Sequence, residues 1–140
     1  SLALGSSLAS AQDLPFHASQ RDQLDISGAV FADCWGLDGR AYAARFGQSS
    51  FDVIDMSNPD NLSLLSTVNV AFPNNTASVQ DIKAVRSAVR PARTLVLVSL
   101  ESGSPDGVQI YDATNGSSPS LLTDIVHGWL DPRVKVTSSA

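Results

Sequence analysis

Short runs of apolar or alternating residues, each closed by Gly, Pro, Asn, Ser or Asp, recur along this chain: Ala41 to Arg45, Phe51 to Asp55, Leu95 to Leu100 and Val108 to Asp112. Runs of about five residues with period-two alternation and turn-forming boundaries predict β-strands. Laying one half of the chain on the other extends the pattern. Phe51 to Asn58, followed by Leu64-Leu65, matches Val108 to Asn115, followed by Leu121-Leu122, at a constant offset of 57. Upstream, Ala32-Asp33-Cys34-Trp35 resembles Gln80-Asp81-Ile82-Lys83, and Ala41-Tyr42-Ala43-Ala44 resembles Leu95-Val96-Leu97-Val98, with extra residues in the second loops. Insertions confined to turns are what repeated units tolerate.

Each half therefore reads as four strands. The first four are predicted near Ala32 to Gly36, Ala41 to Arg45, Phe51 to Asp55 and Leu62 to Val68. The second four fall near Val79 to Val85, Leu95 to Leu100, Val108 to Asp112 and Ser120 to Val126. Four antiparallel strands in roughly 45 to 55 residues match a propeller blade. The fold class expected is all-β, with β-propeller-type four-stranded antiparallel blades forming an incomplete propeller of about two blades. Residues 25–70 make the first blade-like unit, 71–78 a linker and 79–126 the second unit; 127–140 begin a third. Asp55 and Asp112 end a strand just before Asn58-Pro59 and Asn115-Gly116, where a carboxylate accepts hydrogen bonds from turn amides.

Composition supports strands over helices. Thirteen of the fourteen acids are Asp, Glu101 is the single Glu, and Lys occurs only at 83 and 135, so strong exposed helix formers are scarce. A net charge of -5 with nine dispersed basic residues removes the basic stripe that nucleic acid requires. Residues 1–24 read as an irregular leader. Within it Leu2 to Leu8 resembles the end of a signal peptide's apolar region, and Ala9-Ser10-Ala11 fits the small-x-small cleavage pattern before Gln12. No other segment approaches the ~20 apolar residues of a membrane span. On that reading the protein is expected outside the cell or at its surface.

At these residues the sequence resembles the LVIVD-repeat proteins, and more narrowly the choice-of-anchor B group of secreted bacterial and archaeal surface proteins. The residues that carry the likeness are Phe51-Asp52-Val53-Ile54-Asp55-Met56-Ser57-Asn58-Pro59 and Val108-Gln109-Ile110-Tyr111-Asp112-Ala113-Thr114-Asn115, with Asp33-Cys34-Trp35-Gly36, Ala41-Tyr42-Ala43, Gln80-Asp81-Ile82-Lys83 and Val98-Ser99-Leu100-Glu101 around them. The likeness covers about Asp25 to Ile125. Gly116 and Val79 depart from it, standing where a Pro and an aromatic residue are expected. It implies a β-propeller at the cell surface and supplies no catalytic residues.

Candidate chemistry is sparse. His17 and His127 are the only histidines, and no Gly-x-Ser-x-Gly elbow is present, so a serine hydrolase has little to build on. Cys34, the single cysteine, reads as a small buried apolar side chain. Asp52 and Asp55, three apart, point to opposite faces of a regular strand and do not chelate one ion; no cofactor is implied, although abundant Asp leaves room for a structural Ca²⁺. Glu101 and Asp106 flank the polar Ser102-Gly103-Ser104-Pro105 insertion and are the first candidates for binding. Trp35 is the third, as an aromatic platform, against the default of packing between blades. Asn61, Asn74 and Asn115 head glycosylation sequons. The function expected is a secreted or cell-surface module for binding or scaffolding. Its partner is an extracellular ligand or protein, and its open sheet edges allow self-association. The competing reading is a fragment of a secreted propeller hydrolase or lyase with its site mostly elsewhere.

Overall fold

The computed structural model describes residues 19–70, 78–101 and 107–126. The described residues form eight strands: β1 (Phe31–Leu37), β2 (Arg40–Arg45), β3 (Ser50–Asp55), β4 (Ser63–Asn69), β5 (Ser78–Arg86), β6 (Thr94–Glu101), β7 (Gly107–Asp112) and β8 (Ser120–Val126). They make two four-stranded antiparallel sheets, β1-β2-β3-β4 and β5-β6-β7-β8, each a simple meander. Among the described residues there is no helix, hence none long and apolar enough to cross a membrane. The expected linker ends one residue early, because Ser78 already opens β5. The signal-like leader up to residue 18, the loop 102–106 and the third unit at 127–140 lie outside the described residues.

The two sheets share their irregularities as well as their order. A register shift falls between Phe31 and Asp33 in the first sheet and between Val79 and Asp81 in the second. Another falls between Val53 and Ile54, and again between Ile110 and Tyr111, where Leu65 and Leu122 are the extra residues on the facing strands. Bulges bend and twist a strand at a fixed place, so the two sheets are interrupted at equivalent positions. The turns match too. Ser57 N–H donates to Asp55 Oδ1 at 2.8 Å and Thr114 N–H to Asp112 Oδ1 at 3.0 Å. Asp60 N–H and Ser117 N–H each donate, at 3.1 Å, to the side chain of the Asn two residues earlier. The carboxylate clasps expected at both strand ends are present.

One sequence correspondence needs moving by a residue. Ala41 faces Ile54 across the ladder and Val96 faces Tyr111, so Ala41 corresponds to Val96, an offset of 55. The Leu95 pairing taken from the residue types is one position out. In a strand that slip exchanges the two faces.

The sheets stack face to face. Tyr42, Ala44, Phe51 and Val53 share one face of the first; Ile82, Ala84, Val96, Val98 and Tyr111 share the facing side of the second, and all belong to one buried cluster. The Phe51 and Tyr111 rings meet edge to face, with centroids 5.2 Å apart at 73°, a geometry that adds to the area they bury. β5 lies against β1 and β2, so the two inner strands form a seam. Before the first strand, Arg21 grips Asp60 with two bonds of 2.7 Å and Asp22 Oδ2 accepts the Leu62 N–H at 2.7 Å, tying the chain entry to the β3–β4 turn.

Candidate functional site

The seam between β1 and β5 brings together charged and aromatic side chains from both sheets. The N–H of Ile82 points out of the open edge of β5 and donates to Asp33 Oδ2 at 3.1 Å. Lys83 reaches round that edge to place its ammonium 3.0 Å from Asp33 Oδ2, 2.8 Å from Asp81 Oδ1 and 4.7 Å from the centre of the Trp35 ring. A carboxylate and a cation thus cover an edge whose amides would otherwise recruit another strand. The ammonium also lies over the aromatic face, where the negative potential of the ring attracts it.

The side-chain hydrogen bond with Asp81, the Ile82 amide and the Lys83 ammonium hold the Asp33 carboxyl well below the usual carboxylate range. Asp81 first and Asp33 second push the Lys83 ammonium upward. General acid–base catalysis needs a group whose pKa lies near the operating pH, and both shifts run away from it.

The strand-end turns form a second part of the seam. Asp38 and Gly39 both have positive φ (54° and 71°), the two-residue hairpin turn for which Asp-Gly is suited. Asp38 Oδ1 then meets Arg86 Nη2 at 2.7 Å across the sheets. Arg40 Nη1 donates to the carbonyls of Ala113 (3.0 Å) and Thr114 (3.1 Å), and Ser66 Oγ donates to the Gly116 carbonyl at 2.8 Å. Between these turns lies a polar cleft of about 320 Å³ lined by Asp38, Arg40, Asp55, Ser57, Leu65 and Gly116 among others. The Asp55 carboxyl stays ionised there, held below its usual range by the Ser57 amide and hydroxyl and by Arg40.

Of the residues singled out from the sequence, Trp35 lies on this seam. It is not packed away between the sheets: it is 40% exposed, because Lys83 and not a second sheet covers its ring. Cys34 is likewise exposed, which corrects the expectation of a buried thiol; it faces away from the second sheet. Glu101 closes β6 opposite Ser78, five positions from Lys83 along β5, so roughly 15 Å of strand separates it from the Trp35 cluster. Asp106 lies outside the described residues. No three His, Cys, Asp or Glu side chains come together among the described residues, so the structural Ca²⁺ finds no ligand set there.

The sequence reading gave no site role to Lys83, Asp33 or Arg40, and weighed Asp52 only as an ion ligand. Asp52 is fully buried on the face turned from the second sheet; Arg45 pairs with it through two bonds of 2.9 Å, and Thr67 donates to it at 2.6 Å. The available signal was a charge between Phe51 and Val53 in an otherwise apolar strand, since buried carboxylates occur with a partner. No family model matches the chain, and neither does any curated protein or solved structure.

Proposed function

We propose that this chain is a two-blade β-propeller segment of the LVIVD-repeat kind, used for binding or scaffolding outside the cell or at its surface. The observation that carries the reading is the doubling of detail. Two meander sheets with matching bulges and matching turn hydrogen bonds stack face to face, and their inner strands meet at one seam. Repetition of this kind around a common axis is how propellers protect their sheets. The binding role draws support from the half-exposed Trp35 ring and from the polar cleft beside Arg40, both on the seam where two units meet. Export draws support from the Ala9-Ser10-Ala11 pattern.

The test is retention without turnover. The purified chain, immobilised, is challenged with cell-wall polysaccharides and extracellular-matrix peptides, and eluates are examined for cleaved products. At least one class is retained intact, and retention weakens with Trp35→Ala. Conversion of a panel member into smaller products would replace this reading with that of a hydrolase or lyase; retention of none would remove the binding role.

A further inference from the structure

The face that β5–β8 turns away from β1–β4 carries Leu97, Val108 and Ile110, with Leu122 at its bulge; none of the four is buried. In the ladders these stand where Tyr42, Phe51, Val53 and Leu65 stand in the first sheet, and there the same positions pack against a neighbouring sheet. The outer face of β1–β4 has the reciprocal character. Cys34, Ala41, Ala43, Asp52 and Ile54 stand where Ile82, Val96, Val98, Gln109 and Tyr111 form the receiving side of the interface. The polar member of each set already has a partner within its own sheet: Asp52 is paired with Arg45, and Gln109 accepts from the Tyr111 hydroxyl at 2.6 Å. At the seam, Asp81 stands where Asp33 stands. Asp33 caps the β5 edge across the interface, whereas the Asp81 side chain is 57% exposed. Opposite sides of this one chain therefore present the two halves of the interface that joins its own sheets.

We propose that the chain stacks head to tail on further copies of itself, the outer face of β5–β8 of one copy on the outer face of β1–β4 of the next. The inference rests on the two sheets being equivalent units. The occupant is a second copy because the complement of the exposed face is found on this chain. Contacts of this heterologous kind either close into a ring or continue.

Two modifications test it, one on each face. Leu97→Asp with Ile110→Asp places charges on the first face; a bulky maleimide on Cys34, the single cysteine, blocks the second. Unmodified chain is expected to sediment at whole multiples of one chain, shifting to larger multiples with concentration. Each modified form is expected at the mass of one chain. Their mixture is expected to give a species of two chains and nothing larger, since just one intact pair of faces remains. An unmodified chain that stays single at its highest soluble concentration while keeping its β-sheet circular dichroism overturns the stacking, as do modified forms that assemble like the parent. Loss of the β signature in the unmodified chain would instead sink the two-sheet reading beneath it. If the double substitution unfolds the protein, the Cys34 arm decides by itself.

Discussion

Gly116 lies against the Arg40 guanidinium, so close that a Cβ at 116 would stand 3.0 Å from Arg40 Cζ and 2.9 Å from Leu65 Cδ1. The corresponding position in the first sheet is Pro59. The departure at 116 therefore has a steric cause: the turn must admit the side chain that clamps the Ala113 and Thr114 carbonyls. Gly116→Ala is expected to push Arg40 off those carbonyls and cost about 1.5–3 kcal/mol, the worth of a charge-assisted hydrogen bond. In urea unfolding, the Arg40→Ala, Gly116→Ala double variant should cost less than the sum of the singles; strict additivity would disprove the shared mechanism.

Asp52 and Arg45 form the buried ion pair of the first sheet. Removing one partner leaves the other charged in a dry site, so Asp52→Ala should lose about 3 kcal/mol, at the low end of the range because Arg45 retains some contact with water. Replacing both by apolar residues of similar volume should recover most of that loss in the same denaturant measurement. A double variant as unstable as Asp52→Ala would mean that the sheet needs the pair for more than mutual neutralisation.

The seam predicts a pH dependence with a definite sign. Asp33 has a carboxyl lowered in the folded protein, so its stabilisation is present above the unfolded carboxylate pKa and is lost as pH falls through the lower folded value. Lys83 is raised, so its contribution is present below the unfolded lysine value and disappears as pH climbs through the higher folded one. The stability gap between the parent and Asp33→Asn should therefore stay flat between roughly pH 5 and pH 9 and narrow below about pH 4. Urea midpoints measured across that range check it; a gap unchanged down to pH 2 would show that Asp33 acts by shape and not by charge.

The two turn clasps should differ in worth. Asp55 accepts from the Ser57 amide and hydroxyl with Arg40 nearby, and Asp112 accepts from the Thr114 amide and hydroxyl but also meets Arg93 directly at 2.8 Å. Asp112→Ala should lower the thermal midpoint more than Asp55→Ala. The reverse order would place the main constraint in the first turn.

All eight strand positions could be read from the chain because alternation and turn residues are local signals, legible without knowing what packs where. The observed strands begin and end within one residue of the reading. The faces were harder. Ala41-Tyr42-Ala43-Ala44 has no size pattern to fix its match with Leu95 to Val98, and the ladder with its bulge sets it instead. Exposure at Cys34 depends on whether a further sheet lies alongside, and at Trp35 on the cover that Lys83 supplies from the other sheet; neither is encoded in one strand's residues. Lys83 carried a signal that was readable, as one of two lysines, placed between Ile82 and Ala84. Its partner Asp33 lies 50 residues away and is legible only once the two inner strands are side by side.

The paired bulges have an evolutionary corollary. At Leu65 and Leu122 two residues answer one, so the alternation of in and out starts afresh beyond that point. Substitutions on one side of the reset leave the inward pattern of the other side intact. Two stretches of polypeptide with few identities can therefore diverge further and still thread the same ladder.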